Sequence, residues 1–255
     1  MKMQTIKALV VVELKKLYRD PMTLGVLLLM PVGLTIVFYL ALGGVRNDYY
    51  GYASEMSHFD YLLPGAMGYA IIYMGMIVAL ALVEYRKSGL LKRVQATPVS
   101  PSVYLGSHII ANMIIATVQG LIVLLVARLL GFEPLGGLAG LLLAVLFLAL
   151  LAIAAVGLGL ITASVSKDTS AAGGLSVIYI VPMMMFGALL AVFNEMTRNI
   201  ARFMPNYYVS DSLSVIFHTG RISDPVIWQN LLTLAGISLV IVVAGMQIFK
   251  RVVYQ

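Results

Sequence analysis

Six stretches of the chain, residues 22–44, 61–83, 103–127, 135–166, 171–193 and 226–249, contain no Asp, Glu, Lys or Arg. Each exceeds the roughly 20 helical residues needed to cross a hydrocarbon core about 30 Å thick. In hydrocarbon every backbone N–H and C=O must be satisfied within the protein, so runs of this kind fold as helices. At about −0.3 to −0.6 kcal/mol per large apolar residue, the first run alone contributes roughly −5 kcal/mol to insertion. The basic residues before it also suit a cleaved leader, but the run is too long for a leader's apolar region. The fourth run is longer than one span requires. It is tilted, extends beyond the bilayer, or begins with a loop at Gly136 and Gly137.

The rest of the composition agrees. Hydrophobic residues make up 61% of the 255 positions and charged residues 11%, which excludes an ordinary soluble domain. With no cysteine, disulfides, cysteine-bound zinc and thiol nucleophiles are all excluded, so packing and the bilayer must hold the fold. The net charge of +6 encodes orientation rather than a nucleic-acid partner. Lys2, Lys7, Lys15, Lys16 and Arg19 precede the first run, and Arg86, Lys87, Lys92 and Arg93 lie between the second and third. Placing both termini and the hairpin of residues 84–101 in the cytoplasm keeps most of the 17 basic residues inside. The expectation is one multi-pass domain over residues 1–255 in the cell membrane, with no internal repeat.

Between the runs, periodicity predicts further elements. Ile6, Leu9, Val10, Leu14 and Leu17 recur at helical spacing among lysines, which predicts an amphipathic interfacial helix over residues 1–20, ended by Asp20-Pro21. In the following loop, Tyr49, Tyr50, Tyr52 and Tyr61 suit a headgroup-level aromatic belt beside Asp48, Glu55 and Asp60. Residues 194–224 alternate apolar side chains with Arg198, Arg202, Pro205 and Asp211, so neither half can span. Two short amphipathic helices broken at Pro205-Asn206, surface-lying or re-entrant, fit this pattern. Phe203, Pro205, Asn206 and Leu213 are the candidate outer-gate residues. Ala155, Gly159 and Ala163 allow a neighbouring helix to approach closely, more readily within the subunit than across a dimer. Pro182 before Met183, Met184 and Met185 reads as a kink lined by adaptable side chains.

The hairpin between the second and third runs reads Glu84-Tyr-Arg-Lys-Ser-Gly-Leu-Leu-Lys-Arg-Val-Gln-Ala-Thr-Pro98-Val-Ser-Pro101. Ser88 is placed to cap a short helix with Leu90, Leu91 and Val94 on one side and Lys92, Arg93 and Gln95 on the other. Pro98 and Pro101 end it. Its own loop offers nothing to bury the apolar face, so a partner protein or the bilayer surface is expected to cover it.

Catalytic motifs are missing: the sequence has no phosphate-binding loop, no His-Glu-x-x-His and no nucleophile elbow. His58, His108 and His218 lack the spacing of metal ligands. No run carries a charge near its middle, which argues against an ion-coupled carrier powering itself.

The Glu84–Ser100 hairpin resembles the cytoplasmic loop of the ABC-2 family of ABC-transporter permeases, with its acidic residue, glycine turn, basic amphipathic helix and Thr-Pro-Val-Ser ending. Here Gly89 is followed by Leu90, where the family more often has Thr. The N-terminal amphipathic helix, the Gly157-Leu-Gly159 run leading into Ser166-Lys-Asp-Thr-Ser170, and the broken segment before the sixth run fall where the family has matching features. The resemblance spans essentially the whole chain. It implies an all-α integral membrane protein with six transmembrane helices, a cytoplasmic coupling helix between helices 2 and 3, and a non-enzymatic role. It further implies an exporter subunit for a drug, lipid, peptide or glycan-type substrate, paired with a second permease and with separate ABC ATPase subunits. ATP and Mg would bind on those subunits, and this chain would bind no cofactor. Glu84, Leu90, Leu91, Lys92, Arg93 and Val94 are the expected ATPase contacts. The alternatives are a passive channel or scaffold without an ATPase, and an ion-coupled carrier.

Overall fold

The computed structural model describes residues 2–44, 57–189 and 195–253. In chain order the helices are α1 (Lys2–Arg19), α2 (Pro21–Leu42), α3 (His58–Lys87), α4 (Leu90–Gln95), α5 (Pro101–Leu129) and α6 (Gly137–Val165). They are followed by α7 (Thr169–Met184), which continues as a π-helical turn (Met185–Leu189), then α8 (Glu195–Ala201), α9 (Pro205–Thr219) and α10 (Pro225–Val253). Six of these, namely α2, α3, α5, α6, α7 with its π turn, and α10, are long and apolar enough to cross a membrane. The chain is an all-α membrane protein. The tyrosines expected to form a belt at positions 49, 50 and 52 lie outside the described residues.

Local sequence sets where the helices start. Asp20 accepts the backbone N–H of Thr23 at 3.1 Å and its hydroxyl at 2.6 Å, and Pro21 opens α2. Ser57 and Asp60 form a reciprocal capping box at α3. Ser100 with Pro101 starts α5, and Asp168 caps α7 by accepting from Ala171 N at 2.8 Å. Leu135 and Gly136 form a turn, and Gly137, with φ of +57°, opens α6. The long fourth run therefore begins with a loop.

Helix α6 is the central element, with α3 packed along one side and α10 along another. Small residues make these seams possible. A Cβ on Gly159 would stand 2.4 Å from the carbonyl oxygen of Gly75, and one on Gly75 would stand 2.6 Å from that of Ala155. On the α10 side, a Cβ on Gly245 would stand 2.5 Å from the carbonyl oxygen of Gly157. Ala155, Gly159 and Ala163 are all buried against the chain's own helices, as expected of packing within the subunit.

Proline inside a helix leaves the carbonyl four residues earlier without its N–H. In α2, Pro31 frees the Leu27 carbonyl, and Gln119 of α5 donates its Nε2–H to it at 2.6 Å. In α3, Pro64 frees the Asp60 carbonyl, and His218 of α9 takes it through Nε2 at 3.1 Å. These two spans are thus held by side chains from other elements, at the sites where their own backbones are incomplete. Pro182 lies in the last turn of α7, three residues before the π turn begins at Met185.

Helix α1 lays its apolar stripe on α5, leaving Leu9, Leu14 and Leu17 half-buried and Lys7, Lys15 and Arg19 exposed. The segment before α10 departs from expectation in one respect. The break falls at Arg202–Met204, and Pro205 opens the second helix rather than dividing the pair. Pro205 lacks the N–H that a first-turn residue would leave unused, so it serves as a start and not as a stop. Helix α9 packs against α3, α6 and α10, with Val209, Leu213 and Ile216 fully buried, while Phe203 is 82% exposed.

Candidate functional site

The hairpin is the end of α3, a glycine turn, α4 and the start of α5. Ser88 is the C-cap of α3 rather than the cap of the next helix, its N–H reaching the carbonyl of Glu84 at 2.8 Å. The N-cap of α4 is Gly89 at φ of +73°, with no side-chain cap. A left-handed residue is needed to reverse the chain within so few residues, and glycine adopts that conformation without a Cβ penalty. The serine expected to cap α4 is one position too early for that role.

The apolar face of α4 is also partly covered by its own chain. Leu91 is 2% exposed and belongs to the main hydrophobic cluster, while Val94 and Val99 pack against that cluster half-buried. The expectation of a fully uncovered face is therefore corrected. Helix α4 packs back on α3, and Leu91 joins the buried cluster to which Leu82 and Val83 of that helix belong. Glu84, Lys92 and Arg93 are exposed and Leu90 is half-buried. The free side of α4 is consequently its charged edge, with a fringe of apolar atoms from Leu90 and Val94.

Three contacts stiffen the hairpin's base. Arg86 donates Nη1 to the Ala163 carbonyl at 3.2 Å and Nη2 to the Ser166 carbonyl, binding the end of α3 to the end of α6. Those carbonyls belong to the last turn and the C-cap of α6, where the helix has no N–H of its own left to offer them. Lys250 of α10 donates to the Ser102 hydroxyl at 2.7 Å, joining the chain's last helix to the first turn of α5. Thr97 closes α4 by donating its hydroxyl to the Val94 carbonyl at 2.6 Å. Neither Arg86 nor Lys250 stands out in the sequence, where both read as orientation charges.

At the other end of α3, Asn206 in the first turn of α9 is fully buried between Gly68 of α3 and Gly187 of the π turn. Any Cβ on Gly68 would collide with its side chain, standing 1.6 Å from Oδ1. Neither polar atom of the Asn206 amide has a hydrogen-bond partner among the described residues. Leu213 lies deeper on the same helix, so Pro205, Asn206 and Leu213 share one packed element while Phe203 points away from it.

No curated protein matches the chain. A family model described as "ABC-2 type transporter" matches residues 4–218, from α1 through nearly all of α9. With six apolar helices, a short basic helix between the second and third, and that match over most of its length, the chain belongs to the ABC-2 type transporter family and is a membrane-spanning permease of that family.

Proposed function

We propose that this chain is the membrane subunit of an ATP-driven exporter and receives its work through α4 from a separate ABC ATPase subunit. Two permease subunits and two ATPases assemble in the cell membrane, with both termini and the hairpin on the cytoplasmic side. ATP and Mg bind on the ATPase, and this chain supplies none of that chemistry. The observation that carries the reading is the charged edge of α4, exposed at the tip of a hairpin whose base is fixed by Arg86. Lys92, Arg93 and Glu84 set the register of docking, Leu90 and Val94 add apolar contact, and Leu91 anchors the helix to its own subunit.

A rigid link from α4 into α3 and α6 turns a displacement at the ATPase into a movement of two spans. At the far end α9 closes the outer mouth, with Phe203, Pro205, Asn206 and Leu213 as its gate segment. The buried amide of Asn206, without a hydrogen-bond partner among the described residues, supports this role, because a buried polar group left unsatisfied in one packing favours another that supplies a partner. The substrate is of the drug, lipid, peptide or glycan type.

Co-purification tests the docking. Lys92→Glu combined with Arg93→Glu should release the ATPase from the purified complex while leaving the permease folded, since both side chains are exposed. An ATPase that stays bound at undiminished stoichiometry would remove α4 from the interface.

A further inference from the structure

Helices α1, α2, α3 and α5 enclose a groove of about 670 Å³ that is open along one side. Its walls are apolar, built from Val26 of α2, Tyr73, Ile77 and Ala81 of α3, and Ile115 of α5. The groove exists because α2 is lightly packed, with Leu27, Pro31 and Thr35 as its buried residues.

One end of the groove is polar. It is bordered by Glu13, Asp20 and Glu84, by Lys16, and by His108. The carboxylate of Glu13 lies 3.6 Å from His108 Nδ1, an electrostatic contact longer than a hydrogen bond. Lys16 is already engaged: it hydrogen-bonds the Tyr85 hydroxyl, and its ammonium lies 3.7 Å from the centre of the Tyr85 ring. His108 is 3% exposed, and its Nε2 has no hydrogen-bond partner among the described residues. Three carboxylates against one committed ammonium leave this end negative whether the imidazole is charged or neutral.

We propose that the groove binds a cationic amphiphile, its amine or amidinium head held by Glu13 beside His108, with the Asp20 charge adding to the local field, and its apolar tail lying between α2 and α3. A single-chain cation satisfies both halves of the site. An anionic head would meet carboxylates and find the nearby lysine occupied, and a neutral head would leave the excess charge uncompensated. Calling the ligand a transported substrate rests on the permease reading above, whereas the binding itself does not.

The test uses the full chain in phosphatidylcholine nanodiscs without an ATPase. Two photoreactive probes carry the same hexadecyl tail with a diazirine, one ending in an amine and one in a carboxylate. Labelled peptides from α2 and α3 are quantified by mass spectrometry. The amine should label these peptides at least about fivefold more than the carboxylate, the scale of one partly exposed ion pair. Glu13→Gln with Asp20→Asn should bring the two probes to equality, and Asn retains an N-cap for α2. Ala81→Phe, which fills the apolar slot, should reduce labelling by both. Equal labelling of the wild type, a preference for the carboxylate, or an amine preference that survives the double substitution would overturn the proposal. Because no ATPase takes part, such a failure leaves the docking result of α4 untouched.

Discussion

His218 on α9 reaches the backbone carbonyl of Asp60 on α3 at 3.1 Å, occupying the acceptor that Pro64 has left without a helical donor. The carbonyl requires Nε2 to carry the proton. Burial pushes the imidazole below its ordinary pKa of 6.5, against an opposing pull from the Asp60 carbonyl and side chain. The unfolded chain therefore takes up a proton before the folded one does as pH falls. The stability carried by neutral His218 is complete above about 6.5 and is lost as pH drops through the lowered folded value. Thermal unfolding in detergent between pH 7.5 and 5 should show this decline, and His218→Gln should flatten it. An identical slope in the variant would assign the decline to other groups.

The contact between Gln119 and Leu27 follows the same logic in α2. Gln119→Leu should lower stability by about 1 kcal/mol, the scale of an interhelical hydrogen bond in a membrane protein. In a Pro31→Ala background the helix serves its own carbonyl, so the same substitution should cost much less. A double-mutant cycle on unfolding midpoints measures that coupling.

Close approach at the α6 seams makes glycine obligatory there. Gly159→Val and Gly245→Val should each cost at least about 1–3 kcal/mol, because the new atoms meet backbone and not a movable side chain. Gly106→Ala and Gly174→Ala have open space around the new methyl and should be neutral or slightly stabilising. Melting temperatures that failed to separate the two pairs would contradict the packing of α3 and α10 on α6.

The absence of native cysteine gives a clean background for labelling. Phe203→Cys, at a position 82% exposed, should react fully with a water-soluble maleimide, and Leu213→Cys, at a position with no exposure, should not. If α9 forms the gate, reactivity at 213 should rise in one nucleotide state of the assembled transporter. Protection there in every state would remove the gate role.

Leu91 and Lys92 are neighbours on α4 with different jobs. Leu91→Ala removes a buried side chain and should destabilise the permease by about 2–5 kcal/mol. Lys92→Glu should leave the unfolding temperature unchanged and act only on assembly. A Leu91 variant that melts like the wild type would place this residue in the docking surface after all.

What the sequence made legible depended on how locally each feature was determined. The six runs could be read because insertion is decided segment by segment, and Asp20, Ser100 and Asp168 mark helix starts through bonds to residues three positions away. The Ala155, Gly159, Ala163 stripe was visible, but its counterpart Gly75 was not, since the seam joins helices far apart in the chain. Pro31 and Pro64 each leave a carbonyl without its helical donor. Nothing in the sequence said that Gln119, 92 residues away, or His218, 158 residues away, would serve them. The hairpin was recognisable from its residue pattern, yet the burial of Leu91 depends on α4 folding back on the subunit's own core, a contact that the loop sequence does not carry. Placing the α8–α9 break at Pro205-Asn206 treated proline as a terminator, when one residue's shift in the boundary makes it an initiator.

The Gln119–Leu27 bond also fixes the vertical register of α2. An unbroken apolar helix is much the same at every height and has little to stop it sliding past its neighbour by a turn. A carbonyl stripped of its donor is a unique mark on that otherwise uniform rod, and sliding by one turn would strand both the amide and the carbonyl in hydrocarbon. A helix with few buried side chains can therefore pivot about this point while keeping its depth in the bilayer.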